Sequence, residues 1–245
     1  MEQRTNQYYD IKLSDITLTA GFSFPDTASR FGAYCLGKSE KTEGLTVPDC
    51  ELDVWHSYGL EADGRFEYSC FTSIASDELS KYKKGIVHGV AFRFRGKAYL
   101  FCAPSGVGKS TMIHALQELY PGQFSVICGD RPILSFLEDG RILVEPSPWN
   151  GKEEWFGAES APLGGFIRLS RGEQSRLARL DKKAAAIPVY NSWIQTLIEE
   201  QTIHRFAELS TILIERVPVW DFVSGGVPDS ARYLFENLLS KEARQ

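Results

Sequence analysis

The 245-residue chain lacks the marks of several protein classes. Its longest central apolar run, Ala98-Tyr-Leu-Phe-Cys-Ala103, falls far short of the roughly 18 residues a membrane helix needs. Met1 to Asp10 is polar, so no apolar signal segment is read there. The five cysteines (Cys35, Cys50, Cys70, Cys102 and Cys128) form no CxxC pair, and their number is odd. Metal-knuckle spacing is thus absent, and a disulfide framework is not expected. Basic residues are not in excess: 27 Lys and Arg stand against 32 Asp and Glu, a net charge of −5. That argues against a nucleic-acid partner, whose phosphates call for a basic face. No repeat, low-complexity tract or long linker breaks the chain. These absences predict a reducing, cytoplasmic setting with neither membrane nor nucleic acid as partner.

What remains is ordinary globular composition, 43% hydrophobic and 24% charged. A chain of this length buries enough surface to need no staples. The patterning predicts a single α/β domain over 1–245. It has a β-rich portion at 1–80, a core at 84–170 and a helical and strand portion at 171–245.

Near-alternation of Ile11, Leu13, Ile16, Leu18 and Ala20, with one slip between 13 and 16, reads as strand. Segments 52–58 and 66–72 also read as strands, with a turn at Glu61–Arg65. Phe22–Pro48 reads as loop with room for one strand. A hairpin over 86–94 and 97–102 turns at Arg95-Gly96. Met112, Ile113, Leu116, Leu119 and Tyr120 carry helical spacing, stopped by Pro121-Gly122. Strands follow at 124–128, 133–137, 142–144 and 165–169, then a charged stretch at 171–183. The spacing further predicts a helix over 188–201, a strand over 210–217, and a last helix N-capped by Asp229.

The most specific signal is Ala103-Pro-Ser-Gly-Val-Gly-Lys-Ser-Thr111. Gly106, Gly108, Lys109 and Ser110 fit the G-x-x-x-x-G-K-[ST] phosphate loop, with Ala103 in place of the first glycine. A strand runs in and an amphipathic helix runs out, the context that motif requires. Glycines let backbone N–H groups turn inward around phosphate oxygens, and the helix N-terminus adds partial positive charge. The motif assigns Ser105, Gly106, Val107, Gly108, Lys109, Ser110 and Thr111 to ATP. Lys109 would sit on the β/γ-phosphates and Ser110 on Mg²⁺.

Flanking residues leave alternatives open. His88, within the strand read at 86–94, is either a group near the phosphates or a satisfied buried histidine. Asp130, past the strand 124–128, is either a proton acceptor and Mg²⁺ ligand or a turn residue in Cys128-Gly-Asp-Arg-Pro132. Its neighbour Arg131 either offsets phosphate charge or is solvated. Lys152 and Trp149, in the proline-bounded loop 146–153, either face the site or belong to an ordinary turn. Arg171, Arg176 and Arg179 form a basic stretch, one of which can clamp a phosphorylated substrate. His56, His114 and His204 read as structural. If the strands of His88 and Asp130 flank 97–102, then His88, Asp130 and Lys109 converge on one pocket.

Together, Val87-His-Gly-Val-Ala-Phe92, the Arg95-Gly-Lys turn, the glycine loop and the following aspartate resemble the catalytic domain of HPr kinase/phosphorylase. The resemblance extends to the nucleotide-binding part of ATP-dependent phosphoenolpyruvate carboxykinase. Gly129-Asp-Arg-Pro132 and Pro148-Trp-Asn-Gly-Lys152 make it strongest to small bacterial HPr-kinase-like proteins, some of which phosphorylate a serine of a lasso precursor peptide. It covers about residues 84–170. The resemblance implies a mixed, twisted sheet with a phosphate loop of that type and an N-terminal β-rich extension. It implies an ATP- and Mg²⁺-dependent kinase acting on a hydroxyl, a serine of a peptide or a small molecule. The alternative is a non-catalytic ATP-binding accessory protein for peptide modification. Asp130 would then activate the hydroxyl, with His88 and Lys152 near the transferred group and Ser110 and Asp130 on the metal. The chain departs from the pattern where HPr kinases carry two adjacent aspartates and it has Gly129-Asp130. It also shows no counterpart of the basic tail that docks HPr, so HPr is not the expected acceptor. Its metal-ligand set does not match a carboxykinase.

Overall fold

The computed structural model describes residues 5–48, 62–153, 155, 157 and 159–242. Within them the chain is a mixed α/β protein with two sheets. The small sheet, ordered β3-β1-β2-β4, comes from the N-terminal portion. Its core is the antiparallel hairpin β1 (Gln7–Leu13) and β2 (Ile16–Phe22). Ser14, at φ +59°, and Asp15 make the turn, so the slip in alternation is the hairpin bend itself. Between Phe22 and Pro48 the structure holds more than one strand. A 3-10 segment, Ala28–Tyr34, leads to β3 (Cys35–Lys38), and β4 (Leu45–Thr46) follows.

The strand expected at 66–72 is instead the start of α1 (Gly64–Ser80). Buried Glu67, Phe71, Ala75 and Leu79 follow helical spacing, which a seven-residue window rich in aromatics conceals. Asp63, read as part of a turn, is the N-cap: its carboxylate accepts from Phe66 N at 2.8 Å. The helix lays Phe71, Ala75 and Leu79 against the small sheet, beside Ile86 and Ile133 of the larger one and Trp149 of the loop after β10. Each large side chain buried there contributes about 1.5–3 kcal/mol. Glu67 locks the contact. Its buried carboxylate accepts from Ser23 N (2.7 Å), Phe24 N (3.2 Å) and Thr27 Oγ1 (2.5 Å). The expected strand at 52–58 lies outside the described residues.

The large sheet begins β5 (Lys84–Ile86), β6 (Val90–Phe94) and β7 (Lys97–Cys102). After α2 (Lys109–Leu119) come β8 (Phe124–Cys128), β9 (Ile133–Phe136), β10 (Ile142–Glu145), β11 (Ala161–Arg171) and β12 (Arg176–Arg179). The order is β5-β9-β10-β11-β7-β6-β8. β13 (Val219–Ser224) pairs with the C-terminal half of β11 and with β12. β7, β11 and β13 run parallel, and the other pairings in this sheet are antiparallel.

Two strand expectations change here. The strand read at 86–94 breaks at residues 87–89, and β5 and β6 belong to different parts of the sheet. β6 lies between β7 and β8, so the strands of His88 and Asp130 do not flank 97–102.

The C-terminal third departs furthest. The helix expected at 188–201 is α3 (Lys182–Tyr190), N-capped by Asp181, which accepts from Ala184 N at 2.8 Å. Beyond it the chain extends: Trp193 bridges Val87, and Ile194 N donates to Ile86 O at 2.8 Å. The apolar side chains at 193–194 are spaced for that pairing, not for a helix face. The strand expected at 210–217 is the end of α4 (Glu200–Arg216). Its β-branched residues are overridden by a buried stripe at Thr202, Phe206, Leu209, Ser210 and Leu213. The last helix, α5 (Asp229–Glu242), starts at Asp229 rather than one residue after it. Among the described residues no helix is long and apolar enough to cross a membrane.

Candidate functional site

Because β7, β11 and β13 are parallel, their C-terminal ends share one edge of the sheet, the usual place for a ligand in an open α/β fold. From β7 the chain turns through 103–108 into α2. Gly106 (φ +80°) and Gly108 (φ +105°) take left-handed conformations that a residue with a Cβ resists. Gly108 is the N-cap and supplies no side-chain bond. The N-cap carbonyl accepts a helical bond from Met112 N at 3.0 Å. The N–H groups of Lys109, Ser110 and Thr111 therefore stand at the open, electropositive helix end. Lys109 Nζ folds back over the loop, donating to Ala103 O at 2.7 Å and Pro104 O at 3.4 Å. Arg171, at the end of β11, donates Nε to Val107 O at 2.8 Å and holds the loop from the other side. A hollow of about 340 Å³, lined by Gly108, Thr111, Arg171, Ser224 and Gly226, opens between the start of α2 and the ends of β11 and β13. Ser105 and Gly106 form the exposed tip of the loop, while Val107 and Ser110 are half-buried.

A second line of residues approaches Lys109 from β5 and β8. Residues 87–89 leave the strand ladder because their N–H groups bond elsewhere. Val87 N donates to Pro132 O (3.1 Å), His88 N to Ser192 O (2.7 Å) and Gly89 N to Asp130 O (2.7 Å). A Cβ at Gly89 would lie 2.6 Å from Phe101 O, so only glycine permits this crossing. The result puts the imidazole of His88 between two charges. Nε2 lies 3.5 Å from Lys109 Nζ, and Nδ1 lies 3.6 Å from Asp130 Oδ1. Both separations are at or beyond the limit of a hydrogen bond. Burial holds the imidazole below its ordinary pKa of 6.5, opposed by Asp130 and aided by Lys109 and Arg131. Burial also lowers the Lys109 ammonium, opposed by Asp130 and Cys102. A neutral His88 accepting from Lys109 through Nε2 carries its proton on Nδ1, facing Asp130.

Asp130 faces a third feature, a cleft of about 750 Å³. Arg131 forms its floor. Nη1 donates to Thr72 Oγ1 (2.5 Å) and Ser69 O (3.2 Å), Nη2 to Ser69 Oγ (3.2 Å), and Nε lies 3.3 Å from Asp130 Oδ2. Lys152 lines the cleft and is exposed. Trp149 is 3% exposed: its indole donates to Tyr68 O at 3.0 Å, while Tyr68 Oη donates to Pro148 O at 2.7 Å. The loop 146–152 is thus bolted to α1. A Cβ on residue 129 would lie 2.4 Å from Asn150 O, so this backbone packing excludes a second aspartate next to Asp130. Among the described residues no three His, Cys, Asp or Glu side chains gather as a metal site.

Sequence reasoning missed Arg30 and Arg65, which line the cleft from the N-terminal portion. The sequence reads Arg65 only as the end of the turn Glu61–Arg65 between two strands, and Arg30 only as part of the loop Phe22–Pro48. Among the histidines read as structural, His114 packs edge-on to Trp155 (5.1 Å), and His204 lies 3.5 Å from Glu200. His56 lies outside the described residues.

No protein-family model and no curated protein matches the chain. Among solved structures, the Hpr(Ser) kinase/phosphatase from Coxiella burnetii is similar at 13% identity and a TM-score of 0.38, over 64% of this chain and 95% of that chain. Likeness at that level adds nothing to the reading of the site.

Proposed function

We propose that the protein transfers a phosphoryl group from ATP to a hydroxyl, of a peptide serine or a small molecule. The observation that carries this is the line Lys109–His88–Asp130, which joins the glycine loop to the basic cleft. The loop N–H groups and Lys109 hold the β- and γ-phosphates, and the hollow beside Arg171 takes the rest of the nucleotide. Ser110 and Asp130 are the residues that would hold Mg²⁺. Two protein ligands suit an ion that takes most of its oxygens from phosphates and water. The bound ion supplies neutralisation of charge on the phosphate oxygens.

Asp130 accepts the proton of the acceptor hydroxyl. The acceptor oxygen then bonds to the γ-phosphorus as the bond from phosphorus to the ADP oxygen breaks. His88, whose pKa burial lowers, stands beside Asp130 without competing for that proton. Lys152 offsets charge on the transferred group. Catalysis is then chiefly positioning and charge stabilisation, which phosphoryl transfer mostly requires.

Incubation with γ-labelled ATP, Mg²⁺ and pools of serine peptides and hydroxyl-bearing metabolites tests this reading. The expected result is label on an acceptor. ATP binding with no labelled acceptor in any pool would favour an accessory role instead, and absence of ATP binding would defeat both.

A further inference from the structure

The cleft beyond Asp130 has a charge balance that the rest of the chain does not share. The protein carries net charge −5, yet this cleft is lined by Arg30, Arg65, Arg131 and Lys152 against one carboxylate, Asp130. The four cations are not equivalent. Arg131 is spent on Ser69 and Thr72, so it is a fixed charge at the floor. Arg30 is paired with Asp26 at 2.6 Å. Arg65 and Lys152 both line the cleft, are exposed and have side chains long enough to meet a ligand. At about 750 Å³ the cleft has the size of a small-molecule site, and Tyr68 and Trp149 give it an aromatic wall.

We infer that this cleft selects an acceptor whose hydroxyl is carried near a carboxylate or phosphate group. Arg65 and Lys152 grip the anion, and Arg131 adds a fixed positive potential. The anion is held in the cleft and the hydroxyl is left beside Asp130. An Arg fork suits a planar carboxylate or a phosphate equally, so both remain within one chemistry. A neutral acceptor would leave the exposed Arg65 and Lys152 facing it with a single carboxylate, Asp130, in the lining. This inference rests on the phosphoryl-transfer reading for its word "acceptor", but anion binding can be measured without turnover.

The test uses three probes that share a vicinal diol and differ in the third substituent, neutral or anionic: glycerol, glycerate and glycerol 3-phosphate. The full chain is first saturated with Mg²⁺ and a non-hydrolysable ATP analogue, so that the glycine loop is filled. Each probe is then titrated while the amide signals of Gly151 and Lys152 are followed by NMR. At least one anion should bind at least tenfold more tightly than glycerol, about 1.4 kcal/mol. The anion that binds more tightly identifies the group. The double substitution Arg65→Gln, Lys152→Gln, at two exposed positions, should erase the margin while leaving the fold intact. Equal binding of all three probes, no shift with either anion up to about 50 mM, or a margin that survives the double substitution would each overturn the inference. If the analogue itself does not bind, the kinase reading fails. The titration is then repeated without it, and the cleft signals still decide the anion question.

Discussion

The glycine loop and the basic cleft are neighbours built in opposite ways. The loop is nine consecutive residues, Ala103 to Thr111, whose geometry follows from two left-handed glycines and the start of one helix. The cleft is assembled from Arg30 in a 3-10 segment, α1, the tip of β8 and the loop 148–152. The first needs only local backbone chemistry. The second exists only while Glu67 ties α1 to residues 23–27 and the Trp149–Tyr68 pair ties α1 to the loop 146–152. The two regions should therefore respond differently to mutation.

The largest difference is expected at their junction. Asp130→Asn keeps size but removes the proton acceptor, so turnover should fall about 10²–10⁴-fold. Affinity for the nucleotide without Mg²⁺ should stay nearly constant, which calorimetry on the same samples checks. Parallel loss of affinity and turnover would place Asp130 on the loop side of the comparison.

Glu67→Ala attacks the cleft alone. It leaves buried donors from Ser23 and Thr27 without their acceptor, a loss of about 2–5 kcal/mol in stability. Nucleotide affinity measured below the lowered melting temperature should survive, because the loop does not depend on α1. If nucleotide binding disappears while the protein is still folded, the two regions are one cooperative unit.

Lys109→Ala attacks the loop alone. Loss of one charge-assisted contact to phosphate should weaken nucleotide binding about 10–100-fold. The ammonium is partly buried and its pKa is lowered for that reason, so its removal should not lower the melting temperature. A clear drop in melting temperature would show that Lys109 holds the loop together.

The smallest effect concerns pH. The folded protein holds His88 below 6.5, so the unfolded chain binds the extra proton first as pH falls. Stability should therefore decline as pH drops below about 6.5 and be unaffected by this group above it. His88→Gln should flatten that decline, read as melting temperature from pH 7 down to 5. An identical slope in the variant would mean that other groups set the acid limit.

The same contrast explains what was legible in the sequence. The loop, its strand and its helix could be read because short-range spacing determines them. The last third misled. Ser210-Thr-Ile-Leu-Ile looks β-branched and strand-like, yet it completes a helix whose buried stripe begins at Thr202. Residues 66–72 look aromatic and strand-like, yet Asp63 caps them into α1. His88 and Asp130 were legible as candidates, and their convergence with Lys109 was expected on the condition that their strands flank 97–102, which they do not. The convergence comes from a strand break at 87–89 and a β7-β6-β8 order that no local pattern encodes. Arg30 and Arg65 carried no signal because their role depends on tertiary packing of a distant segment.

The most direct test is a crystal structure with Mg²⁺ and a non-hydrolysable ATP analogue. The account predicts the triphosphate on the N–H groups of 106–111 and the γ-phosphorus within about 5 Å of the Asp130 carboxylate, its open face toward Arg131 and Lys152. A γ-phosphate directed away from Asp130, or an analogue bound outside the glycine loop, would contradict it.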